Sequence, residues 1–158
     1  MIANQYDLQV LISFWGGNMS QPLTLSKLAL QPLTPCRRGD LPLDDVEVQS
    51  YLSTMNLWRL YRQDQVGTGD DDGLSDYVGF DGVDKIQAAF KFRDYLQGVK
   101  FLGWVAEAAE AEDHHPLIIL QWRSVSVFWW THTINGLHRN DFIMAARSEE
   151  IYHRMMNE

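Results

Sequence analysis

Residues 117–134 read LIILQWRSVSVFWWTHTI, and the way this stretch divides decides the fold. Successive side chains leave a strand on opposite faces, so period-two alternation marks a strand with two distinct sides. In SVSVFWWTHTI, Val125, Val127 and Trp129 fall on one side, and Ser126, Phe128, Trp130 and His132 on the other. LIILQW is a second short run of strand formers, and the two read as consecutive strands.

Working outward, RDYLQGVKFLGWVAEAAEAED (93–113) has a helical period instead. Tyr95, Leu96, Val99, Leu102, Val105, Ala106 and Ala109 form one apolar stripe, with Lys100, Glu107 and Glu110 outside it. Such a stripe is core. Pro116 disfavours helical geometry at His115, so this helix should end near Glu112 or Asp113.

Further upstream, VDKIQAAFKF (83–92) alternates Ile86, Ala88, Phe90 and Phe92 as a strand, and LWRLYRQ (57–63) reads as another. LDDVEVQSYLSTMN (43–56) is a helix capped by Asp44 or Asp45, with Val46, Tyr51, Leu52 and Met55 on one face. HRNDFIMAARSEEIYHRM (138–155) closes the chain as a helix. The order α-β-β-α-β-β-α predicts an α+β domain: a four-stranded antiparallel sheet with helices packed on one face.

The 158 residues suit one domain. Pro22, Pro32, Pro35 and Pro42 crowd the start, so residues 1–35 are expected to be an irregular or disordered extension and 36–158 the domain. Within the extension, Val10 to Trp15 is too short to span a bilayer, which takes about 20 residues. It also lacks the basic start of a secretory signal. Met19 offers a second beginning, and residues 1–18 are expected to be an upstream extension, either poorly ordered or absent from the natural product.

Residues 64–82, DQVGTGDDDGLSDYVGFDG, read as a loop insertion. A calcium loop would need alternating oxygen ligands and a glutamate at its twelfth position. Here Asp70, Asp71 and Asp72 are consecutive and no glutamate follows within the stretch, which favours a solvated hairpin insertion.

A net charge of −8 with no basic stripe argues against nucleic acid or an anionic membrane as partner. Cys36 is the sole cysteine, which excludes an intrachain disulfide and a thiolate metal site and fits a reducing, cytoplasmic setting. It reads as a small buried or half-buried thiol in preference to a nucleophile.

The chemistry concentrates in EAEDHHP (110–116). Adjacent histidines diverge by about 100° on a helix and point oppositely on a strand, so His114 and His115 are poorly spaced to share a metal. A site from Asp113, His115 and His132 stays open as an alternative. As a helix C-terminus dressed with cations, the pair would complement the macrodipole. That leaves His132 unexplained, late on an aromatic strand beside Trp129, Trp130 and Thr131. Imidazoles near neutrality can donate or accept protons, and aromatic walls can stack a planar heterocycle.

Glu110, then His114-His115-Pro116, Trp122, His132 and Asp141 together resemble the signature of the pterin-4a-carbinolamine dehydratases. WWTHTINGLHRNDFIMAAR is similar to the bacterial members in particular. The resemblance runs from about Cys36 to Ile151; the 64–82 loop is longer than usual, and His138 stands where many relatives carry a Ser-like cap.

The resemblance implies dehydration of 4a-hydroxytetrahydrobiopterin to quinonoid dihydrobiopterin by a carbon–oxygen lyase, recycling the cofactor of an aromatic amino-acid hydroxylase. It implies acid/base roles for His114 and His132, with either as the acid, and a positioning role for His115. Glu110, Asp113, Pro116, Trp130, Thr131 and Asp141 would line or support the pterin site, with Asp141 holding a histidine or capping the last helix. No metal or organic cofactor is implied, and a homodimer or homotetramer is. Some proteins of this fold are instead non-catalytic interaction modules, as dimerisation cofactors or assembly factors.

Overall fold

A computed structural model of the protein describes residues 23–62 and 82–157. The expected loop insertion, apart from Gly82, and residues 1–18 lie outside the described residues. Four strands form one antiparallel sheet: β1 (Arg59–Tyr61), β2 (Lys85–Lys91), β3 (Leu117–Gln121) and β4 (Ser124–Trp129), in the spatial order β1-β2-β4-β3. β3 and β4 meet in a hairpin whose last pair is Gln121 with Ser124. Arg123 takes a positive φ of 59° at its tip, and Trp122 projects there exposed. Trp122, although part of the quoted motif, thus lies at the exposed tip of the hairpin.

Among the described residues four helices accompany the sheet: α1 (Leu25–Ala29), α2 (Asp45–Leu52), α3 (Tyr95–Ala111) and α4 (Arg139–Asn157). The alternation in β4 holds, since Val125, Val127 and Trp129 join the main core under the helices while Phe128 packs with Tyr61, Leu117 and Ile119 on the opposite face. Ile86, Ala88, Phe90 and Phe92 from β2 enter the same main core. From α4, Phe142 stacks on Tyr51 of α2 with ring centroids 4.7 Å apart.

Several local expectations need correction. Part of the lead-in expected to be irregular is a helix: Thr24 caps α1 by accepting from the Lys27 N–H, and Leu28 is fully buried. The prolines flank this helix and so do not interrupt it. In α2 the cap is Asp44, in a reciprocal capping box with Glu47, and Val48 is buried while Val46 points to solvent.

The α3 stripe is rotated from the expected one. Gly98, Phe101, Val105 and Ala109 are buried, whereas Tyr95, Leu96 and Val99 are exposed. The reason is close approach to the sheet, because a Cβ on Gly98 would lie 3.0 Å from Leu120 Cδ1 and 3.3 Å from Val125 Cγ2. Lastly, β4 stops at Trp129, and His132 opens a single 3-10 turn, His132–Ile134, instead of extending the strand.

Candidate active site

The end of α3 sets the two adjacent histidines on different courses. Asp113 adopts the left-handed conformation (φ 50°), the Asp113 N–H donates to the Glu110 carbonyl at 3.3 Å, and the His114 N–H reaches back to the Ala109 carbonyl at 3.1 Å. This is a Schellman closure with aspartate in the place glycine usually takes. It reverses the chain sharply enough that His114 turns inward while His115 stays outside.

His114 is largely buried, and its ring lies parallel to that of Trp129, with centroids 5.5 Å apart and planes 3° from parallel. Its Nε2 is 2.7 Å from Oδ1 of Asp141, a residue with no solvent exposure. An ionised carboxylate only accepts, so Nε2 carries the hydrogen and the carboxylate fixes both tautomer and ring orientation. The other oxygen, Oδ2, accepts from the Thr131 hydroxyl at 2.9 Å and from the His138 N–H at 2.7 Å. Asp141 therefore holds a histidine and caps α4 at the same time. The His138 side chain completes that cap, its Nδ1 accepting from the Asn140 N–H at 3.2 Å.

Thr131 is itself pinned. It exchanges backbone hydrogen bonds with Gly136 at 2.9 and 3.4 Å, closing the small loop that contains His132. Pro42 lies against this loop, and a Cβ on Gly136 would come within 2.8 Å of its ring.

The remaining expected residues form a looser ring around this centre. His115 Nε2 meets Glu110 Oε2 at 3.0 Å, both side chains exposed. The His132 ring is exposed and packs on Trp130 at 4.4 Å between centroids, with Lys85 Nζ 4.8 Å from the same indole. So His114, Thr131 and Asp141 are joined in one network, while His115 with Glu110 and His132 with Trp130 make separate contacts. Pro116 leads directly into β3. Among the described residues no three His, Cys, Asp or Glu side chains cluster to hold a metal ion.

A cleft of about 460 Å³ opens beside the network, lined by Glu112, Asp113, His114, Thr131 and Thr133. Leu33 to Cys36 and Asn140 line the same cleft. Neither the Leu33–Cys36 lining nor the Trp129 stack was legible beforehand. Trp129 reads simply as a core-facing strand residue, and nothing periodic links Leu33–Cys36 to residues 76 to 100 positions away.

Fold and site together define an α+β protein whose sheet end presents an inward His–Asp pair at an open cleft, an arrangement suited to moving protons on a small molecule. The model of the pterin 4 alpha carbinolamine dehydratase family matches residues 41–151, and the chain belongs to that family. Among its relatives, a Marinobacter nauticus protein assigned by name to these dehydratases is 38% identical over 128 residues, covering 81% of this chain and all of the relative. A Chlorobium luteolum protein so assigned is 44% identical over 120 residues, covering 76% and 90%. The crystal structure of a Brucella melitensis protein described as a transcriptional coactivator/pterin dehydratase superposes with a TM-score of 0.54 at 26% identity, covering 70% of this chain and 98% of that one. The family's named reaction is a dehydration, which makes the chain a carbon–oxygen lyase by membership.

Proposed function

We propose that the protein converts 4a-hydroxytetrahydrobiopterin to quinonoid dihydrobiopterin and water, with His114 and His132 as the acid/base pair. The C4a–O bond breaks and the hydroxyl leaves with an added proton as water. The N5–H proton is lost and its electron pair closes the C4a=N5 double bond, so the step needs two proton movements and no oxidant. One imidazole serves each movement. His115 is a positioning ring, steadied by Glu110. Asp113 and Thr131 line the cleft, Trp130 backs His132, Pro116 fixes the chain after the histidines, and Asp141 acts through His114.

The observation that carries this reading is the 2.7 Å contact between His114 and the fully buried Asp141. A carboxylate so placed stabilises the cation formed when the ring takes a proton, the arrangement a proton acceptor needs. A coactivator role, named for the Brucella neighbour, gives no reason to bury a paired carboxylate against a histidine at a cleft. The same reading carries a cytoplasmic homodimer or homotetramer serving an aromatic amino-acid hydroxylase. The test is to add the protein to enzymatically generated carbinolamine and follow its ultraviolet decay. Acceleration over buffer is expected, and a rate equal to buffer would move the protein to the interaction-module class.

A further inference from the structure

The lead-in before residue 41 lies outside the region matched by the family, yet it is bound to the site from several sides. Arg147 of α4 donates through Nε to the Ala29 carbonyl at 3.0 Å and through Nη2 to the Gln31 carbonyl at 2.9 Å. Its Nη1 reaches Glu112 at the end of α3 at 2.6 Å. Seven residues earlier on α4, the buried Asn140 grips Thr34 in both directions, accepting from its N–H at 3.0 Å and donating to its carbonyl at 2.7 Å. Beyond Cys36 the chain turns back, with the Asp40 carboxylate accepting from the Arg37 N–H at 2.7 Å and Gly39 at a φ of 99°. The result is a strap clamped to the first three turns of α4, whose residues Leu33–Cys36 line the same cleft as His114 and Thr131.

We propose that Leu33–Cys36 is the specificity wall of the substrate cleft, with the Cys36 side chain bounding the space for the substituent on the pterin ring and Asn140 as the positioning residue that holds the wall. The inference rests on the dehydratase reading above. The bicycle is common to all substrates of the class, and it must meet His114, the member of the acid/base pair that lines the cleft. The variable part of the ligand is then left to the rest of the lining, to which Leu33–Cys36 contribute four residues. Cys36 suits that place as a small neutral surface, because burial and the carboxylates of Asp40 and Asp141 push its thiol up from 9.0 and disfavour the thiolate.

Cys36 is the chain's only cysteine, so its alkylation reports this wall alone. N-ethylmaleimide modification of the unmodified protein should slow about tenfold when 7,8-dihydrobiopterin is present at ~10 times its dissociation constant, in step with occupancy read independently from tryptophan quenching. Cys36→Trp should raise KM about tenfold for the carbinolamine bearing a dihydroxypropyl side chain and much less for the 6-methyl analogue. Should that variant not fold, the alkylation experiment decides by itself. Quenching by dihydrobiopterin with unchanged alkylation would overturn the wall and leave the dehydratase reading standing. Failure of the unmodified protein to speed carbinolamine decay would overturn both.

Discussion

Two histidines adjacent in the chain each meet one carboxylate at nearly the same distance, yet their surroundings are opposite. His114 and Asp141 are 2.7 Å apart with side-chain exposures of 13% and 0%, whereas His115 and Glu110 are 3.0 Å apart with 54% and 82%. Distance alone would call them equivalent. Screening separates them, since an exposed pair gains about 0–1 kcal/mol while a buried one is felt at much lower effective dielectric. The inner pair is also tied to Thr131 and His138, so its geometry is fixed before any ligand arrives. The outer pair is free to rearrange around one.

The sharpest way to break this contrast is to remove the proton carriers. His114→Ala and His132→Ala should each lower kcat by a factor on the order of 10² to 10⁴, measured as carbinolamine decay at saturating substrate. If both variants kept the native rate, the acid/base assignment would be gone. Asp141→Asn tests the inner pair more finely. The amide keeps an acceptor for Thr131 and His138 but presents N–H to His114, forcing the wrong tautomer. A loss of about 10² or more in kcat is expected with little change in thermal stability. A variant that melted early but turned over normally would show that Asp141 serves only the helix cap.

The outer pair should yield smaller numbers of a different kind. His115→Ala is expected to raise KM more than it lowers kcat, as fits a group that binds ground state and transition state alike. Glu110→Gln should change stability by no more than about 1 kcal/mol, and any effect should shrink with added salt. An effect on kcat as large as that of His114→Ala would erase the distinction between inner and outer.

The same contrast separates what the sequence makes legible from what only the folded chain shows. The strands were legible because apolar residues recur at every second position of β4 and β2, and packing into the main core followed that alternation at Val125, Val127 and Trp129 although all of β4 is buried. The α3 stripe was misphased because the residue nearest the sheet is Gly98, which has no apolar side chain to count, and because apolar residues occupy more than half the helix surface. The histidines were legible as a motif, but their division into inner and outer was not. It depends on the left-handed backbone at Asp113, which is common at glycine and seldom expected at aspartate. Asn140 and Thr34 went unread for a simpler reason: their pairing spans 106 residues, and no local pattern announces it.

A third histidine–carboxylate pair completes the series with one partner buried and one exposed. Glu149 in α4 is 2% exposed, its Oε1 is 3.4 Å from His153 Nε2, and its Oε2 has no hydrogen-bond partner. Burial pushes its carboxyl above the ordinary 4.5, against the opposing pull of His153 and of the Trp58 indole, which lies near without closing a hydrogen bond. The folded protein thus holds this proton more tightly than the unfolded chain does. Whatever stability the site provides is complete below the ordinary carboxylate value and declines as pH rises through the folded one. Glu149→Gln removes the charge but keeps the shape. It should therefore raise stability at neutral pH by on the order of 1 kcal/mol, roughly 2–4 °C in Tm for a chain of this size. The gain should fade as the pH is lowered through the carboxylate range, which paired melting curves at several pH values would show. A gain that persisted undiminished in acid would mean that better packing, and not relief of a buried charge, was responsible, and the middle member of the series would lose its electrostatic meaning.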